Sequence, residues 1–285
     1  MMPIITLLTD FGLRDSYVAE MKAVILSICP EACIIDICHE VKKFDIRMGA
    51  YLLARTSKYF PKGSIHVAVV DPGVGGTRRP IIVESERAFY VGPDNGLLML
   101  SAEIDGIKHV YMISNERYML KTVSRTFHGR DIFSPAAAYL ARGIPPSEFG
   151  PEIHDPTKLS FTKPKISGNI IEGEVIHIDD FGNIITNISI KDLESINIGE
   201  GDLLNLETRN LKLKLKLCRS YTEVPHNTPL TIIGSSEFLE ISINQGDAAK
   251  QCQGQLTAAS RPKPLFAGHN RCGLGGAKRF ALASA

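Results

Sequence analysis

The sequence contains no tryptophan, and aromatic residues make up only 7% of it. Neither charge is in excess: 32 basic and 31 acidic residues leave +1 at neutral pH. A protein that grips nucleic acid usually carries a basic surplus, so no nucleic-acid partner is expected. No apolar run approaches the roughly 20 residues that span a bilayer, so no membrane partner is expected either. The start, MMPIITLLTDFG, lacks the basic segment and small-residue cleavage site of a secretory signal. The cysteines (Cys29, Cys33, Cys38, Cys218, Cys252 and Cys272) include no CxxC pair, and no histidines stand at zinc-finger spacing. The expectation is a cytoplasmic protein with reduced thiols and no metal site.

What is present suits packed domains. The chain has 285 residues, 44% of them hydrophobic, enough for two domains. In the first half, strand and helix signals alternate. Apolar runs at 4–9, 33–37 and 65–70 read as strands, Val18, Met21 and Ile25 mark one face of a helix, and 45–59 reads as a second helix. Such alternation predicts an α/β domain over 1–152 with a mainly parallel sheet. Residues 153–168 are rich in Pro, Lys, Ser and Thr and read as a linker. Residues 169–250 hold many short strand signals, including the strictly alternating KLKLKL at 212–217, and predict a smaller β-barrel domain. The last 35 residues differ: 251–285 contain no Asp or Glu and five Lys or Arg. Lacking periodicity, they are expected to form a disordered or non-native extension.

Polar, glycine-rich stretches follow the apolar runs: TDFGLRDSY (9–17), VVDPGVGGTRR (69–79), GPDNG (92–96), TFHGRDIFSPAA (126–137), IDDFGNIITN (178–187) and GSSEFLEISINQGDAA (234–249). In α/β folds, ligands bind beyond the carboxyl ends of strands. Asp10 reads either as a turn residue capping the next helix or as a carboxylate accepting both hydroxyls of a ribose diol. Asp15 reads as a helix cap or an ammonium contact. Asp71 opens a glycine turn that lacks the GxxxxGK[ST] pattern of a triphosphate loop. It forms a surface ion pair with Arg78 or Arg79, or belongs to a site. His128 is structural or catalytic. An Asp, an Arg and a His together make a workable acid–base set, because His accepts a proton near neutral pH.

Taken together, these stretches resemble the S-adenosyl-L-methionine (SAM) hydroxide adenosyltransferase family, relatives of the SAM-dependent fluorinase and chlorinase. The resemblance runs over residues 4–249. It implies hydrolysis of SAM to adenosine and methionine without a cofactor, by attack of water on C5′. It further implies a homotrimer, with SAM between the N-terminal domain of one subunit and the C-terminal domain of its neighbour. By motif, the water-activating triad falls on Asp71, Arg78 and His128, with Arg79 adjacent. Asp10 falls on the ribose diol and Asp15 on the methionine amino group. Asp179, Phe181 and Asn183 fall on the pocket lining, Tyr221 on an adenine stack, Ser236 on methionine, and Asn244 and Gly246 on adenine. The halogenating relatives carry a halide-contacting Ser where this chain has Gly129, which implies water as nucleophile. The family barrel usually continues past GDAAK with a last strand, and here the acid-free tail begins instead. Two rival readings are a calcium-dependent nucleoside hydrolase, which would need a denser Asp cluster than Asp10 and Asp15, and a non-catalytic SAM or adenosine sensor, which would not need the triad.

Overall fold

The computed structural model describes residues 2–207, 212–251 and 279–284. The chain divides into two compact units, 1–160 and 161–285, with the division inside the stretch read as a linker.

The first unit contains β1 (Ile4–Thr9), α1 (Tyr17–Ile28), β2 (Cys33–Cys38), α2 (Ile46–Ser57), β3 (Ile65–Val69), β4 (Pro80–Ser85), β5 (Phe89–Pro93), α3 (Met99–Asp105), β6 (Ile107–Met112) and α4 (Ser134–Ala141). Its sheet has the order β2-β1-β3-β5-β4-β6. β1 pairs in parallel with β2 and β3, and β3 with β5. β4, however, runs antiparallel to both β5 and β6. The expected mainly parallel sheet is thus a mixed one. β4 and β5 are joined by only Glu86, Arg87 and Ala88, a connection too short for the crossover that parallel strands require. β1 and β3 are buried on both faces, as strands covered by helices on each side must be. Ile5 and Leu7 pack in one core with Met21 and Ile25 of α1 and Ala136 and Ala137 of α4. On the other face, Gly49 of α2 lets that helix approach Leu97, Val70 and Leu8 closely.

The second unit contains β7 (Lys165–Ser167), β8 (Ile170–Ile178), β9 (Ile184–Ser189), α5 (Ile190–Glu194), β10 (Leu203–Glu207), β11 (Lys212–Cys218), β12 (Pro229–Ile233), β13 (Phe238–Ile243) and β14 (Arg279–Ser284). They form one curled sheet of order β14-β10-β11-β12-β13-β9-β8-β7, and β14 also pairs with β8. Alternation sets the core: Leu204 and Leu206 of β10 and Leu215 and Leu217 of β11 point inward, while the β11 lysines point outward. A capping box between Ser189 and Asp192 starts α5.

β14 is a strand within 251–285, the stretch expected to be a disordered or non-native extension. Its Leu282 is fully buried, opposite Leu206 on one side and Ile171 on the other. The physical reason is the open ladder on β10 and β8: unpaired strand edges accept any short apolar segment that reaches them. Residues 252–278, which carry the rest of the tail reading and Cys252 and Cys272, lie outside the described residues.

Candidate active site

The parallel register β1–β3 pairs Thr9 with Val69, so the loops carrying Asp10 and Asp71 leave neighbouring strands at their carboxyl ends. Asp71 and Arg78 stand at the two ends of the glycine turn. Gly75 has φ +73°, and a Cβ there would run into the Arg125 carbonyl, so only glycine lets this turn lie against the chain leading to His128. Arg78 Nε donates to both Asp71 oxygens, at 3.1 and 2.9 Å, and Nη2 donates to Asp71 as well. Arg78 Nη2 also lies 2.7 Å from His128 Nδ1. The guanidinium sits over the Phe133 ring, 5.3 Å from its centroid. Both partners of the ion pair are largely shielded, with side-chain exposures of 10% and 5%. An arginine has no acceptor, so Nδ1 accepts and the imidazole hydrogen belongs on Nε2. Burial, and then the Arg78 charge, hold the His128 pKa below its usual value, with Asp71 opposing. The ring is therefore neutral at neutral pH, the form that can take a proton.

Arg79 does not join this cluster. Its Nε donates to Asp94 at 2.8 Å and its Nη1 to Asp155 at 2.7 Å, and Asp94 in turn accepts the Thr157 N–H. That network ties residues 155–157 to the end of β5 and leaves Arg78 alone between Asp71 and His128.

A π-helical turn, Gly129–Phe133, follows His128 and runs into α4. Such turns are rare and are frequent at functional sites. Asp131, fully buried, accepts the Ser124 N–H at 2.7 Å and Arg130 Nε at 2.7 Å. Burial would raise its pKa, but Arg130 and Ser124 outweigh that and keep it ionised below the usual range. Phe127 packs edge to face on Phe11 and Tyr17, which are tilted against each other, with centroids 5.1–5.7 Å apart, joining the Asp10 loop to the His128 loop. Gly129 fits between Met21, Phe11 and Phe127, where a Cβ would already stand 3.3–3.4 Å from each.

Asp10 is buried, and its Oδ2 accepts the Phe44 N–H at 2.8 Å. Lys43 Nζ donates to the Asp10 carbonyl. Asp15 is exposed, one residue before the Ser16 that precedes α1, so it does not cap that helix. Phe44, which sequence reading did not single out, supplies the N–H to Asp10 from a left-handed backbone, with φ +66° and the residue 68% exposed. No local signal announces a left-handed phenylalanine, because its own side chain opposes that conformation.

In the second unit, Asp179, Phe181 and Asn183 occupy the β8–β9 loop. The Asp179 carboxylate accepts both the backbone N–H and the side-chain Nδ2 of Asn183, at 2.8 and 2.9 Å. Gly182, with φ +82°, packs against the Asp247 carboxylate, which brings this loop to the chain just after β13. Phe181 is 80% exposed. Asn244 and Gly246 follow β13, and Asn244 Nδ2 donates to the Val224 carbonyl at 2.7 Å. Tyr221 lies in a short turn after β11 with its hydroxyl 3.4 Å from Glu240, and burial, then Glu240, raises its pKa. Ser236 lies in the β12–β13 turn, at the other end of β13 from Asn244, with its hydroxyl oxygen buried. Among the described residues, no group of three or more His, Cys, Asp or Glu is placed to hold a metal ion.

Comparison with known proteins gives this geometry a family. Residues 5–150 match the SAM hydroxide adenosyltransferase N-terminal domain, and 173–259 the C-terminal domain. A protein of Methanocaldococcus jannaschii named (R)-S-adenosyl-L-methionine hydrolase is 42% identical over 87% of this chain and 90% of its own length. One of the same name from Thermus thermophilus is 37% identical over 85% and 92%. A fluorinase of an Actinoplanes species is 29% identical over 87% and 93%. The crystal structure of an uncharacterized conserved protein from Thermotoga maritima, 32% identical, superposes with a TM-score of 0.86 over 98% of this chain and 99% of that one. The chain belongs to the SAM hydroxide adenosyltransferase family.

Proposed function

We propose that this chain hydrolyses SAM to adenosine and L-methionine, with water as the nucleophile. Four relatives, 34–42% identical, carry the name (R)-S-adenosyl-L-methionine hydrolase. The observation that carries the reading is the shielded Asp71–Arg78–His128 cluster beside the Asp10 loop. The water oxygen bonds to C5′, the C5′–S pair returns to sulfur, and the sulfonium becomes the neutral thioether of methionine. One proton leaves the water. Methionine is already a good leaving group, so the enzyme needs to position a water in line with sulfur and accept that proton. A neutral His128 offers Nδ1 as the acceptor when the water takes the place of the Arg78 Nη2 contact, while Arg78 stays paired with Asp71. Asp71 keeps the guanidinium in place and balances its charge.

In this reading Asp10 holds the ribose diol and Asp15 the methionine ammonium. The second unit acts as the barrel domain of the fold and supplies recognition. In the same reading Ser236 meets the methionine end of the substrate and Asn244 the adenine end. The relatives' names specify the R sulfonium, and we assign this chain the same preference. We also place it in the cytoplasm as a homotrimer that takes no cofactor. A single-chain mass by light scattering would remove the trimer.

The test is incubation of the purified protein with the separated R and S epimers of SAM in oxygen-18 water. The expected result is one heavy oxygen in adenosine, none in methionine, and faster turnover of the R epimer. Adenosine without solvent oxygen would overturn the proposal, and so would release of free adenine, which marks a nucleoside hydrolase.

A further inference from the structure

Four polar side chains in the first unit form a line that the reaction scheme above does not use. Lys22 Nζ, on α1, donates to Asp36 Oδ2 at 2.6 Å. The other oxygen, Asp36 Oδ1, lies 3.1 Å from His39 Nε2, at ion-pair distance but off the angle of a hydrogen bond. His39 Nδ1 lies 2.9 Å from Thr9 Oγ1. Thr9 Oγ1 in turn accepts the Phe11 N–H at 3.2 Å. A fifth contact closes the end of the line: the His39 carbonyl accepts the Gly12 N–H at 2.7 Å. His39 is 4% exposed and Thr9 not at all, whereas Lys22 and Asp36 reach the surface.

The direction of every bond follows from donor chemistry. An ionised carboxylate only accepts, and its charge 3.1 Å from Nε2 favours the His39 hydrogen there. Nδ1 is then an acceptor, and the Thr9 hydroxyl must donate to it. That leaves the Thr9 oxygen lone pairs for the Phe11 amide. Lys22 and His39 reinforce the arrangement from the far end. Burial would raise the Asp36 pKa, but the two cations-side donors outweigh it and keep the carboxylate ionised. The line has one orientation, and it terminates on the two residues that follow Asp10.

We propose that Lys22, Asp36, His39 and Thr9 are positioning residues that fix the Asp10–Gly12 loop for substrate, an inference that rests on reading Asp10 as the ribose contact. A buried histidine in a core commonly serves only stability. Here Nδ1, through Thr9, and the backbone carbonyl both serve one loop, while Nε2 faces Asp36 of β2. That loop also carries Phe11, which packs on Phe127 next to His128. The chain therefore sets the ribose contact and the wall of the reaction centre at once.

The test uses three surface-to-core variants of the full chain: Lys22→Met, Asp36→Asn and Thr9→Val, with Thr9→Ser as the conservative rescue. Lys22 lies at the exposed end, so Lys22→Met is the variant least able to disturb folding. The expected result is a KM for SAM raised about tenfold with kcat within about twofold, since one committed hydrogen bond is lost from ground-state positioning. Thr9→Ser should restore the wild-type KM. Backbone amide exchange at residues 9–12, measured without ligand, should quicken about tenfold in the same variants and not elsewhere. Unchanged exchange at 9–12 would overturn the chain, whether or not the wild type turns over SAM. Quickened exchange in the variants, beside a wild type that leaves SAM intact, would keep the chain and remove the function proposed above. Loss of kcat and melting temperature together, with KM unmoved, would show a merely structural role.

Discussion

In the first unit the candidate catalytic side chains touch one another, while in the second the candidate ligand residues do so only at Asp179 and Asn183. The contrast extends to what surrounds them. Arg78 is held from two sides and stacked on Phe133, and Asp10 is held by the Phe44 N–H. Phe181 and Tyr221, by contrast, present exposed rings on loops. Groups that must stabilise charge during reaction gain from being fixed in advance. Groups that only recognise a substrate can adjust to it at modest cost. On the function proposed here, the first unit carries rate together with part of the binding, and the second adds recognition.

The largest expected effect breaks this division if it fails. Arg78→Ala and His128→Ala should each lower kcat by about 10²–10⁴-fold, the range for loss of an acid–base group, while changing the affinity for SAM only a few-fold. The triad meets the water, whose charge changes as the C–O bond forms, so it acts on the transition state and not on the ground state. Single-turnover rates and calorimetric affinities measure the two separately. Variants that bind poorly but turn over normally would place Arg78 or His128 among the recognition residues.

A second effect sharpens the comparison at the level of stability. The family match ends at residue 259, yet β14 supplies a strand to both β10 and β8 from 279–284. A chain ending after Lys250 loses the burial of Leu282, about 1.5–3 kcal/mol for such a side chain, and the ladder bonds on both sides. Its second unit should melt roughly 5–10 °C lower, with the first unit unmoved. Calorimetry of both chains reads this directly, and an unchanged melting profile would show that β14 contributes nothing to the curled sheet.

How far the sequence disclosed these features depends on what fixes each one. β1, β2 and β3 were legible because an apolar run bounded by turn residues needs no partner to be recognised. Strand direction was not, since nothing inside Pro80–Ser85 says whether its neighbours run with it or against it, and the missed β4–β5 hairpin turned an expected mainly parallel sheet into a mixed one. The motifs named Asp71, Arg78 and His128, but the choice between Arg78 and Arg79 was unreadable. Successive residues in extended chain point to opposite sides, so two adjacent arginines reach different carboxylates, Asp71 and Asp94. Phe44 and β14 escaped for a shared reason: each is set by a distant partner, the Asp10 carboxylate in one case and two open strand edges in the other.

The smallest effect asks whether the first unit is also the acid-sensitive one. Among the described residues, the histidines with lowered pKa, His66 and His128, both lie in it. His66 stands in β3 with Nδ1 2.8 Å from Thr6 Oγ1 and its ring between Phe60 and Tyr90. Its Nε2 is buried without a hydrogen-bond partner. Burial lowers its pKa to about 4, with Asp105 opposing. The unfolded chain takes up this proton near pH 6.5 and the folded chain only near pH 4, so between those values the unfolded state binds more protons. Stability is therefore full above the unfolded pKa and falls as pH drops through that window. At about pH 5.5 the loss from this one group is about 1.4 kcal/mol relative to about pH 8. Denaturant unfolding of the wild type and of His66→Gln at both values isolates it, because only the difference between the two pH values matters and not the absolute stability of the variant. The wild type should lose about 1 kcal/mol more than the variant on acidification, in the transition that belongs to the first unit. Equal losses in both proteins would place the acid sensitivity elsewhere, and a loss confined to the second unit's transition would reverse the comparison.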